Sequence, residues 1–80
     1  MNELATLCPK DEQVWVTYRN KNGELLFFLT SPEQTTSTLA AQTGAFSLYA
    51  VAGKKAKKLG QGGNPAELEA RYGVKEKMTD

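Results

Sequence analysis

The sequence predicts an α+β domain, a small antiparallel sheet of about four strands with one or two helices in the order ββαββα. Three observations carry this prediction. Segments 13–19 and 24–30, rich in β-branched, aromatic and apolar residues, flank a turn ending in Asn22-Gly23. A further alternating segment, 46–52, runs into Gly53-Lys54 and a lysine-rich return. Each hairpin is followed by a proline suited to opening a helix, Pro32 and then Pro65. Hairpins followed by helices pack as a sheet with helices on one face.

In the first hairpin, QVWVTYR holds the strand formers Val, Trp, Thr and Tyr. Strict alternation sets Val14, Val16 and Tyr18 on one face and Trp15, Thr17 and Arg19 on the other. Asn-Gly accepts positive φ and is a strong hairpin signal. The return, ELLFFLT, is apolar on both faces. That predicts a central strand with Leu26 and Phe27 both well buried.

Ser31-Pro32-Glu33-Gln34 reads as a helix start, with Ser31 as cap and Pro32 at the first helical position. The predicted helix covers 32–42, although Thr35, Thr36 and Thr38 disfavour it. One turn of helix followed by a Thr-rich loop is the alternative. Segment 46–52 alternates as a strand, and 55–59 returns as an edge whose lysines discourage unwanted pairing. Gly60-Gln61-Gly62-Gly63 reads as a flexible connector. Asn64 caps a second helix with Pro65 at N1, and Gly73 ends it in a left-handed residue, letting Val74 fold back onto Leu68. The similar spacing of Val14 to Phe46 and of Pro32 to Pro65 is compatible with a degenerate duplication, although identity between the halves is negligible.

Eighty residues, 40% of them hydrophobic and 24% charged, make one globular domain. A chain of this size buries only about 60–65% of its unfolded surface, so its core is thin. The expected division is an arm over 1–11, an α+β domain over 12–74 and a tail over 75–80. The start carries no apolar stretch of the signal-peptide kind, and the longest apolar run, 25–29, falls far short of the roughly 20 residues of a spanning helix. With a single cysteine, the expected location is cytoplasmic and the expected partners do not include a membrane.

The chain has no His and one Cys. This composition excludes His-based acid–base catalysis, a Cys–His nucleophile pair and the usual zinc sites. No cofactor, metal site or catalytic residue is expected, and no enzyme. Cys8, beside Lys10 in the arm, is expected to be accessible and slightly acidified, without a partner residue to use it. Asp11-Glu12 and Glu67/Glu69 sit one and two apart, so neither pair converges on a substrate. GQGG before a helix resembles an anion cradle only in outline. It lacks the Gly-Lys-Ser/Thr of a P-loop, and Pro65 removes an amide.

Two functional readings remain. Helices on one face leave the other sheet face apolar, with Trp15, Phe28 and Tyr49 as candidate residues of a protein interface or of self-association. The alternative cover for that face is the arm, through Leu4 and Leu7. The second reading is a nucleic-acid-binding module. No acidic residue lies between Gln34 and Ala66, and Lys54, Lys55, Lys57 and Lys58 fall there beside Tyr49. A net charge of only +1 favours the protein partner.

Overall fold

The computed structural model describes residues 6–74. The hairpin segments form β1 (Glu12–Arg19), β2 (Leu25–Pro32), β3 (Phe46–Ala52) and β4 (Lys55–Gly62). Two helices follow them, α1 (Ser37–Thr43) and α2 (Pro65–Arg71). The chain therefore runs ββαββα. The sheet is antiparallel in the order β1-β2-β3-β4, which makes β1 and β4 its edges. The hairpins begin at Glu12 and Phe46 but the helices at Ser37 and Pro65, so the spacing that suggested a duplication is unequal. The predicted tail over 75–80 and Leu4 of the arm lie outside the described residues.

Both turns form as their glycines require. Gly23 has φ +81° and Gly53 φ +65°, values that L residues with side chains rarely adopt. The first turn is held further by Asn20, whose Oδ1 accepts the backbone N–H groups of Asn22 and Glu24 at 2.9 Å each.

The first helix starts later than Ser31-Pro32 suggests. Both residues belong to β2, with Ser31 opposite Gln13 and Pro32 opposite Glu12. The Gln13 amide then holds the following loop, with Nε2 at 3.2, 3.3 and 2.9 Å from the carbonyls of Pro32, Glu33 and Thr35. Thr36 takes over as the cap and accepts the Leu39 N–H at 3.2 Å. Strand pairing and Gln13 override a local capping signal. Only the second half of the predicted 32–42 helix forms, ending at Gly44 in a left-handed conformation.

The glycine segment is not a connector. Gly60 and Gly62 sit in β4 opposite Leu48 and Phe46. A Cβ at Gly60 would overlap the Tyr72 ring, and one at Gly63 would overlap the Ala41 carbonyl. The glycines let α2 and the end of α1 approach the sheet. The second helix matches its sequence signals. Asn64 caps it, accepting from the Ala66 N–H at 3.0 Å. Gly73 has φ +71°, and the Val74 N–H bonds the Glu69 carbonyl at 2.8 Å, the closing bond of a Schellman ending.

The main core joins Leu29, Leu48 and Phe46 of the sheet to Ala40 of α1, Leu68 of α2 and Val74. Both helices therefore lie on one side of the sheet. Burying a side chain such as Leu29 or Leu48 contributes about 2–3 kcal/mol. Leu25, Phe28 and Leu29 are buried in β2, whereas Leu26 and Phe27 are only half-buried. The register explains part of this difference. Arg19 faces Leu25 and Tyr18 faces Phe27, so Leu26 is an extra residue without a partner.

Candidate interaction face

The side of the sheet away from the helices can be read from the strand registers. Directly opposed residues share a face. One row runs Thr17, Phe28, Tyr49, Lys58, and the next runs Val14, Thr30, Ser47, Gln61. Val14 lies in these rows because β1 carries a bulge. Val14 faces Thr30 and Val16 faces Leu29, so Trp15 between them has no partner. The bulge parts Val14 from Val16 and Tyr18, which strict alternation had set together. It also turns Trp15, whose indole Nε1–H donates to Ser31 Oγ at 2.5 Å. Ser31 is on the Leu29 side of β2, so Trp15 leaves the face that Phe28 occupies. It remains 41% exposed. The structure thus brings Phe28 and Tyr49 together and places Trp15 apart.

Phe28 and Tyr49 stack with ring centroids 5.1 Å apart and an interplanar angle of 8°. Phe28 is 0% exposed yet stands outside the main core cluster. The Glu12 carboxylate ties three strands together beside this pair. It accepts the Thr30 hydroxyl and, at 3.4 Å, the Tyr49 hydroxyl. Burial pushes the Tyr49 pKa up, with the Glu12 charge and hydrogen bond and then Cys8 adding to it. In the sequence Glu12 was weighed only as a neighbour of Asp11, because the partners that give it this role lie 18 and 37 residues away.

Cys8 belongs to this neighbourhood. Its thiol donates to the Glu12 carbonyl at 3.5 Å and is half-buried. Burial and then Glu12 raise its pKa, so the slight acidification expected from Lys10 is not found. A raised thiol carries less thiolate and is a poorer nucleophile at neutral pH. The other carboxylates diverge. Glu67 pairs with Arg71 at 3.2 Å on an exposed face, and Glu69 accepts the Tyr18 hydroxyl. An open cleft of about 370 Å³ is lined by Asp11, Pro32, Glu33 and Gln34. Its ionisable groups are two carboxylates, with no nucleophile or base beside them. Among the described residues, no group of three or more His, Cys, Asp or Glu side chains is placed to hold a metal. None of the described helices is long and apolar enough to cross a membrane.

The lysines line the β4 edge but do not form one basic face. Lys57 opposes Ala50 and Lys55 opposes Ala52, whereas Lys58 opposes Tyr49. Alternation sends Lys55 and Lys57 to the helix side and Lys58 to the other, and Lys54 lies in the turn. Lys58 Nζ donates to Gln61 Oε1 at 2.8 Å. Compared with protein-family models, with curated proteins and with solved structures, the chain matches none.

Proposed function

We propose that this chain is a small, non-catalytic, cytoplasmic binding domain that acts by protein–protein contact through the sheet face opposite its helices. The observation that carries the reading is the position of the Phe28–Tyr49 stack. It is the most apolar part of a face on which neither helix lies. Phe28 is the floor of that face, and half-buried Leu26, Tyr49 and Val51 present the surface around it. Apolar side chains on a sheet face that carries no helix are characteristic of contact sites. The raised Cys8 pKa and the divergent carboxylates support a non-catalytic role.

The test is retention of partners from source lysate, with and without nuclease, by the parent chain and by a Val51→Lys variant. The reading expects a nuclease-resistant protein partner that the variant fails to retain. Nuclease-sensitive retention, lost on joint replacement of Lys55, Lys57 and Lys58 by Gln, would replace it with the nucleic-acid reading.

A further inference from the structure

β4 is a free edge of the sheet. Among the described residues, no strand pairs with its outer side. The turn between β3 and β4 has two residues, Gly53 and Lys54, and Ala52 faces Lys55 across it. The closing pair of such a turn is hydrogen-bonded, and hydrogen-bonded pairs then alternate along an antiparallel ladder. Lys55 and Lys57 therefore direct their backbone groups to β3, and Ala56 and Lys58 turn theirs outward. The run from Lys55 to Lys58 is regular, because the β4 bulge falls after it. The other edge is a poorer template. β1 is bulged at Trp15 and shifts register again before Arg19, and bulges blunt an edge.

The side chains select what can pair with β4. Lys55 and Lys57 stand on the helix side of this edge and Lys58 on the opposite side, with Lys54 at the turn. All four are exposed and, among the described residues, none makes an ion pair. Lys58 bonds a neutral acceptor, Gln61 Oε1, at 2.8 Å. No acidic residue lies between Gln34 and Ala66. A polyanion lying on either face of the sheet reaches the lysines of that face alone. A strand laid along the edge reaches both sets, since its own side chains alternate between the faces. Like charges directly opposite are unfavourable, which turns away β4 of a second copy.

We propose that the outer edge of β4 binds an extended acidic segment of another protein as a fifth strand. The outward backbone groups of Ala56 and Lys58 supply the hydrogen bonds. Carboxylates at two adjacent positions of the segment meet Lys57 on one face and Lys58 on the other. The edge lysines thus oppose indiscriminate pairing and admit a strand of opposite charge. The edge is separate from the face that carries Phe28 and Tyr49, and its occupancy does not depend on that face being a contact site.

The test uses the full chain and a fluorescein-labelled, capped peptide about eight residues long, built of Thr and Val with Glu at two adjacent central positions. Fluorescence anisotropy at about 0.15 M salt should show saturable binding. Lys57→Gln/Lys58→Gln should weaken it about tenfold with the fold intact. Ala56→Pro should also weaken it, because it removes an outward N–H and keeps all four lysines. In hydrogen exchange, saturating peptide should slow the Ala56 and Lys58 amides and leave those of Lys55 and Lys57 as they were. Absent binding, or binding indifferent to Lys57→Gln/Lys58→Gln, would overturn the proposal. Undiminished binding by a folded Ala56→Pro variant would also overturn it, leaving charge attraction without a strand. If Ala56→Pro does not fold, the exchange pattern decides, and equal protection of all four amides or of none would overturn the fifth strand. Tighter binding of a short oligothymidylate, lost in the same lysine variant, would replace the peptide with nucleic acid.

Discussion

Tyr18 in β1 donates its phenolic hydrogen to the carboxylate of Glu69 on α2, joining an edge strand to the last helix across 51 residues of chain. The ring is 1% exposed and packs in the main core. The bond ties α2 to β1 on the side of the sheet where both helices pack.

This bond makes stability depend on high pH. Burial pushes the Tyr18 pKa well up, and the hydrogen bond and charge of Glu69 push it further. Below about pH 10 the phenol is protonated in both folded and unfolded chains. Above it the unfolded chain loses the proton first, so stability falls as pH rises. The melting temperature should drop between pH 9 and 11. Tyr18→Phe should remove part of that drop, and Tyr18→Phe/Tyr49→Phe more of it, because the Tyr49 pKa is raised as well. At neutral pH Tyr18→Phe should cost about 1.5–3 kcal/mol for the lost bond to a charged acceptor. An unchanged alkaline slope in the double variant would contradict this assignment.

Gly60 and Gly63 should differ in their tolerance of a methyl group. At Gly60 the obstacle is the outer end of the Tyr72 ring, which is partly exposed and able to swing aside. At Gly63 it is the backbone carbonyl of Ala41. Overpacking costs about 1–3 kcal/mol, so Gly63→Ala should lie at the upper end and Gly60→Ala at the lower. Urea unfolding of the two variants measures the order.

The ends of α2 should respond separately. Asn64→Ala should cost about 1 kcal/mol through the lost cap. Gly73→Ala meets no neighbouring atom, so its cost of about 1 kcal/mol is the positive φ alone. In a domain this small each corresponds to a melting shift of about 4–8 °C. The two sites are at opposite ends of the helix, and their effects should add.

Within β2, Phe28→Ala should cost about 3–5 kcal/mol and Leu26→Ala distinctly less. Circular dichroism melts would rank them. Equal losses would contradict the unequal burial of the two side chains.

What was legible in the sequence was local. The Asn22-Gly23 and Gly53-Lys54 turns, the Asn64 cap and the Gly73 ending each depend on residues within a few positions, and all four form. Ser31-Pro32 carried an equally clear local signal, but Gln13, eighteen residues earlier in the chain than Ser31, pairs with Ser31 and holds the loop after it. The glycines of 60–63 were misread because their cause, the approach of Tyr72 and Ala41, is tertiary. The candidate face was half legible. Apolar residues on both sides of β2 pointed to a second covered face, and Phe28 and Tyr49 do meet there. The bulge that moves Trp15 away leaves no trace in an alternating run of strand formers, because it depends on the register with β2.

The central claim is that both helices lie on one face of the sheet and the Phe28–Tyr49 stack lies on the other, with Cys8 beside it. Proton–proton Overhauser contacts of the Phe28 and Tyr49 rings in the full chain test it most directly. The two-sided arrangement predicts contacts from Cys8 to the Tyr49 ring and none from Ala40 or Leu68 to either ring. Contacts from Ala40 or Leu68 methyls to the Phe28 ring, or rings touched only by their own strands, would contradict it.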